Sequence, residues 1–199
     1  MKNNILKEIF EYKKKEVRDK KELFPVKLLE KSIYFETKTV SMKRYLKRKD
    51  KSGIIAEFKK QSPSSGLINA SADIKEVSLG YMQAGASALS VLTDNKYFGG
   101  SQKYLTKARQ ENYCPILQKD FFIDKYQITE AKSLGADAIL LIAALLSKNK
   151  IKELTDFAHS LNLEVICEIH NTDELNKINS KIDIIGVNNR NLENFEVDY

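Results

Sequence analysis

A chain of 199 residues with 42% hydrophobic side chains can bury a real core and is short enough to form one domain. Charged residues make up 30% of it, and no apolar run approaches the roughly 18 residues of a membrane span. Met1-Lys2-Asn3-Asn4 opens onto a charged amphipathic stretch instead of the apolar region of a signal peptide, and the net charge of +6 leaves nucleic acid or an anionic small molecule as partners to weigh.

That charge sits at the front. Residues 1–60 carry 19 Lys+Arg against 9 Asp+Glu, whereas the remainder carries 14 against 18. Ile5, Ile9, Phe10, Tyr12 and Val17 mark one face of a helix over residues 4–20. Lys13, Lys14, Lys15, Lys20 and Lys21 alternate with Glu and apolar residues along it, with no aromatic platform and no nucleic-acid motif. They read as a solvated helix face, and nucleic acid is not an expected partner. A positive potential near a site for anionic substrates remains a use for them. Residues 26–29 suggest a second short helix, and Ser41 is placed to cap a third over 42–48. Residues 1–50 are expected to form a helical extension, and 51–199 the main body.

From there a βα pattern repeats. Strands are predicted to begin near residues 54, 88, 115, 138, 164 and 183, with helices over 73–84, 101–110, 124–134, 147–161 and 172–179. Gly85 and Gly135 supply helix stops. The runs 88–92 and 138–142 are nearly all apolar, as parallel strands covered on both faces require. Cys114 and Cys167 lie in or beside strands without metal-ligand spacing, the pattern of buried thiols in a reducing, cytoplasmic setting.

The chemistry gathers at strand ends. After Gly53-Ile54-Ile55-Ala56, strand alternation puts Glu57 and Lys59 on one face and Phe58 on the other. The third strand ends in Lys119-Asp120-Phe121, the fifth in Glu168, the sixth in Asn188-Asn189-Arg190. Polar groups at the ends of four strands favour a (β/α)8 barrel over an open sheet with a single switch point. Residues 60–66 also match neither a dinucleotide nor a Walker phosphate loop.

The segments AEFKKQSPS, LTDNKYFGG, LQKDFFID, ICEIH and GVNNRNL, in this order and spacing, resemble the indole-3-glycerol-phosphate synthase family of tryptophan biosynthesis over nearly the whole chain. The resemblance implies a TIM-barrel lyase, a decarboxylase acting on the anionic phosphosugar 1-(2-carboxyphenylamino)-1-deoxyribulose 5-phosphate, with no metal or cofactor. It implies catalytic roles for Glu57, Lys59, Lys119, Glu168 and Asn188, and substrate contacts for Ser62, Phe98, Phe121, Arg190 and Leu192.

These residue types suit that reaction. Ring closure needs an acid for the departing carbonyl oxygen, for which Lys119 and Lys59 are candidates, and a cation beside the carboxylate lost as CO2. Glu168 is placed to take the ring proton, with Glu57 and Asn188 holding partners in line. Arg190 offers a planar fork for the anthranilate carboxylate, and Phe98 and Phe121 give apolar walls for its ring. Phe58 and Phe122, on the opposite phase, are expected to pack under helices. His170, two residues after Glu168, reads as a structural hydrogen-bonding residue and His159 as a surface one.

A complete barrel takes about 250 residues, so the expectation is that two βα units are absent, and the resemblance implies that these would hold the backbone amides gripping the substrate phosphate and a seventh-strand Glu and Ser. Two rivals are weighed: another phosphosugar barrel enzyme such as phosphoribosylanthranilate isomerase, which would need a Cys/Asp pair at strand ends, and a non-catalytic partial barrel that self-associates through open edges.

Overall fold

The computed structural model describes residues 5–190. Its element order is α1 (Ile5–Leu23), α2 (Val26–Leu29), α3 (Met42–Leu46), β1 (Ile55–Phe58), β2 (Gln61–Ser62), β3 (Gly66–Leu67), α4 (Ile74–Gln83), β4 (Ala88–Leu92), α5 (Asn95–Phe98), α6 (Gln102–Glu111), β5 (Ile116–Lys119), α7 (Lys125–Leu134), β6 (Ala138–Ile142), α8 (Lys148–Ser160), β7 (Glu164–Ile169), a 3-10 turn at Thr172–Lys177, and β8 (Ile184–Val187). Six strands form one parallel sheet in the order β1-β4-β5-β6-β7-β8, while β2 and β3 make a small antiparallel hairpin. Neighbours in the sheet are successive strands, so the winding never reverses as it does in a doubly wound sheet. This is the winding of a (β/α) barrel wall. Among the described residues no helix is long and apolar enough to cross a membrane.

Strand alternation divides the apolar residues into two cores. Ala56, Phe58, Leu89, Val91, Ile139 and Leu141 face outward and pack under the helices, with Phe58 edge-on to Tyr104 of α6. Phe122 and Cys167 join this outer core. On the opposite phase, Ala88, Leu117, Leu140, Ile142 and Ile166 line the inside of the wall. Met42 from α3, fully buried, packs among them. Ser41 caps α3 by accepting from Arg44 N, and Glu164, the first residue of β7, accepts from Lys43 N at 2.9 Å. The third helix thus lies at the N-terminal ends of the strands.

Caps fall where side chains allow them. Asp73, Asp94, Ser101, Asp124 and Ser147 each accept backbone N–H bonds at a helix start, and Asp124 forms a capping box with Gln127. The stretch expected to be helical over 172–179 forms only the 3-10 turn. Glu174 there turns inward to accept from His170 N, and Leu175 stays half-exposed, so no continuous apolar stripe exists to hold an α-helix.

Lys13 is not on a solvated face: it is 1% exposed, with its ammonium 2.7 Å from Asp120, 2.9 Å from Asp94 and 2.7 Å from Glu16. Lys20 and Lys21 also dock α1 onto α7 and its cap, through Glu130 and Asp124. Burial opposes the charge on Lys13, but Asp120, Asp94 and Glu16 outweigh it and raise the pKa. Helical periodicity shows which residues share a face, and three lysines of this helix found carboxylates elsewhere in the chain.

The turn after α5 is tight. Gly99 adopts φ +59°, and a side chain on Gly100 would start 2.5 Å from the Leu92 carbonyl oxygen and 2.8 Å from that of Asp94. Those are backbone atoms that cannot swing aside. Gly100→Ala is expected to destabilise the fold by about 1–3 kcal/mol, the usual range for overpacking, read as a lower urea midpoint. An unchanged midpoint would mean that this turn yields easily.

Candidate active site

At the C-terminal ends of the sheet strands lies a cavity of about 380 Å³. Nine of the ten residues singled out from the sequence line it: Glu57, Lys59, Ser62, Phe98, Lys119, Phe121, Glu168, Asn188 and Arg190. Leu192 lies outside the described residues.

The inward phase of each strand carries the chemistry to this point. Ile55 and Glu57 alternate with buried Ala56 and Phe58 on β1. On β5, Lys119 follows Leu117, and on β7, Glu168 follows Ile166, each on the inner phase. Register sets their depth: Leu92 pairs with Lys119, Ile142 with Glu168, and Glu168 with Gly186. The apolar floor beneath the charges comes from Leu140 and Ile142 of β6.

Glu57 is the hub of one half. Its Oε1 accepts from Lys59 at 2.9 Å and its Oε2 from Lys119 at 3.0 Å, with Ser90 Oγ at 3.4 Å. Burial disfavours its ionised form, yet the ammonium of Lys119 and then that of Lys59 reverse this and hold its pKa below the ordinary carboxylate range. One carboxylate thereby fixes two ammonium groups brought from different strands.

The other half centres on Glu168. Its Oε1 accepts from Asn188 Nδ2 at 3.0 Å, and Asn188 N donates to Ile169 O at 2.9 Å, tying the sixth sheet strand's exit to β7. Burial again opposes ionisation, and His170, Lys119 and Asn188 together bring the Glu168 pKa below its usual value. The two halves face one another across the pocket.

The pocket rim is built from loops. Ser62 ends β2, and its Oγ accepts from Ser65 N at 3.1 Å, closing the hairpin turn. Arg190 Nη1 donates to Ser64 Oγ at 2.8 Å, so the hairpin after β1 meets the segment after β8. Phe98 and Phe121 stand with ring centroids 6.0 Å apart, tilted by 40°.

Helix α1 supplies part of the wall. Ile5, Leu6 and Ile9 of α1 line the cavity from above. The spacing of Ile5 and Ile9 gave them a common face but not the surface they cover. The cysteines lie elsewhere: Cys114 and Cys167 are buried and free, their thiols pushed up to about 11, chiefly by burial. His159 is half-buried and bonded to Asp183 at 2.8 Å, and Asp183 also accepts from Val165 N. It braces the start of β7 far along the strand from Glu168.

Similarity to known proteins agrees with this geometry. A family model described as indole-3-glycerol phosphate synthase matches residues 6–199. An indole-3-glycerol phosphate synthase of Bacteroides thetaiotaomicron is 51% identical over 195 residues, covering 98% of this chain and 75% of the relative. The Aliarcobacter butzleri protein of the same name is 45% identical with the same coverages, and that of Halalkalibacterium halodurans 48% over 82% of this chain and 65% of the relative. A match of this extent, over a barrel wall carrying the expected charges, decides the assignment: the chain belongs to the indole-3-glycerol phosphate synthase family.

Proposed function

We propose that the cavity binds 1-(2-carboxyphenylamino)-1-deoxyribulose 5-phosphate and converts it to indole-3-glycerol phosphate, CO2 and water. The observation that carries the reading is the pairing of a two-lysine, one-glutamate cluster with a separate Glu–Asn pair across one pocket with apolar walls.

In this reading the anthranilate ring lies between Phe98 and Phe121, under α1, and its carboxylate reaches Arg190. The ring carbon bearing that carboxylate attacks the ribulose carbonyl carbon while Lys119 protonates the carbonyl oxygen. Loss of CO2 returns the bonding electrons to the ring. A second protonation, from Lys119 or Lys59, releases the hydroxyl as water, and Glu168 takes the proton whose loss completes the indole. Glu57 keeps both ammonium groups aimed at the same oxygen, and Asn188 keeps Glu168 facing the ring. Ser62, at the hairpin, closes the polar rim.

Cys114 and Cys167 lie in the outer core, so no Cys/Asp pair serves an isomerase alternative among the described residues. The direct test is incubation of the full-length gene product with the substrate, following the rise of indole absorbance and release of CO2. Absence of both would remove the proposal.

The role of Arg190 has its own test. Arg190→Ala is expected to raise KM for the carboxylated substrate by about tenfold to a hundredfold, the scale of a lost charge-assisted pair, and to leave binding of a substrate analogue lacking the carboxylate nearly unchanged. Equal losses for both ligands would place Arg190 elsewhere in the site.

A further inference from the structure

Immediately behind Glu168 lies a histidine that the proposed reaction does not use. We propose that His170 is a positioning residue for Glu168: its imidazolium, braced from behind by Glu174, holds the Glu168 carboxylate against Asn188 and aimed into the pocket. The inference rests on the reading of Glu168 as the base.

The geometry is specific. His170 Nε2 lies 3.3 Å from Glu168 Oε1, and Nδ1 lies 3.7 Å from Glu174 Oε2. The side chain is 11% exposed, and neither ring nitrogen has a partner in good hydrogen-bond geometry, so the two contacts are ionic in character. A buried neutral imidazole between two carboxylates would leave both ring nitrogens poorly used, whereas a protonated ring gives each carboxylate a cation. Glu174 is itself held in place. It is buried, and its carboxylate accepts from His170 N at 2.9 Å while its own N–H is capped by Asn171. Both His170 and Asn188 reach the same oxygen of Glu168, Oε1. That arrangement leaves Oε2 to take the proton.

The charged groups facing this pair come from several elements. Glu168 and Glu174 flank the ring from β7 and the 3-10 turn, and Lys119 of β5 acts on Glu168 from across the pocket. Lys177, at the end of the turn, is engaged with the Ala143 carbonyl at 2.6 Å. Asn188 of β8 is uncharged. Burial lowers the His170 pKa, but Glu168 and then Glu174 override it, so the ring titrates above its ordinary value. The sign for Glu168 follows. A cation at His170 lowers the Glu168 pKa, so removing it raises that pKa, and a reaction needing the ionised base loses its acid side at higher pH.

The experiment uses the full-length gene product and two readouts. In the first, the His170 ring-proton resonance, identified by its loss in His170→Gln, is titrated by NMR. It is expected to titrate above the ordinary pKa of about 6.5 and to move down by at least about half a unit in Glu168→Gln and in Glu174→Gln. In the second, His170→Gln is expected to lower kcat about tenfold with KM nearly unchanged, and to shift the acid limb of kcat/KM upward by about half a unit or more. A resonance indifferent to Glu168→Gln, or a His170→Gln variant whose acid limb stays in place, overturns the proposal, because a merely structural histidine would lower activity without moving the limb. If His170→Gln does not fold, Glu174→Gln is read for the limb, expected to shift the same way, with the same overturning outcome. Full activity in Glu168→Gln would instead sink the reading of Glu168 as the base, while the NMR arm would still report the ion pair.

Discussion

Lys119→Ala and Glu168→Gln are each expected to lower turnover at least about a hundredfold in the full-length gene product, the usual scale for a general acid or base. Lys119 closes β5 on the inner phase and is held 3.0 Å from Glu57 Oε2, half-exposed toward the cavity. Truncation to Ala removes the donor and also strips Glu57 of one of its two cations, so the remaining Lys59–Glu57 pair would draw away from the reacting oxygen. Glu168→Gln keeps the shape and the amide contact to Asn188 but abolishes the basic oxygen. Because the proposed pose holds the substrate through the ring walls and Arg190, most of the loss should appear in kcat, with KM shifting less. Steady-state rates of indole formation, paired with calorimetric binding, check this. Turnover near wild type in either variant would take that residue out of the mechanism.

The second large effect lies away from the chemistry. Lys13→Met is expected to cost about 3–5 kcal/mol, because it leaves Asp94 and Asp120 buried without their cation. Burial raises the pKa of Asp94, helped by repulsion from Asp120, whereas the Asp120 pKa stays low despite burial because of Lys13 and hydrogen bonds from Thr93 and Phe121 N. One ammonium therefore serves both buried aspartates as well as Glu16, with Asp120 the better satisfied of the two aspartates. Adding Asp120→Asn to Lys13→Met should recover a large part of the loss, since one of the two buried charges left without a cation is then gone. Urea melts of the single and double variants decide it: a Lys13→Met loss under about 1 kcal/mol would show that the cluster is solvated in practice.

The strand-end residues were legible in the sequence because alternation has a period of two and a parallel strand covered on both faces tolerates charge only where it emerges from the wall. Glu57, Lys119 and Glu168 could be placed on one face from their neighbours alone, and Phe58 and Phe122 on the other. Other parts were not legible, for identifiable reasons. Lys13 sits amid Lys14 and Lys15, and local sequence cannot distinguish the one lysine whose partners are Asp94 and Asp120. The roof residues Ile5, Leu6 and Ile9 show an apolar face without naming what lies beneath it. The hairpin of β2 and β3 has strands of two residues each, too short for alternation to register. The 3-10 turn replaces the expected helix because Glu174, a good helix former, turns inward to His170.

The Lys13 cluster also imposes an order of events on biosynthesis. Helix α1 leaves the ribosome before the strands of the sheet, but the aspartates that neutralise its lysine are supplied by the ends of β4 and β5, the second of them at Asp120. At roughly 5–20 residues per second, the helix must wait on the order of five to twenty seconds before its socket exists. During that interval Ile5, Leu6 and Ile9 have no cavity to roof. The nascent helix is therefore an amphipathic segment with a bare apolar stripe, the kind of surface a holding chaperone binds. The lysine's socket is complete only once β5 has been made, while β6, β7 and β8, which supply the floor and the far side of the pocket, are still to follow.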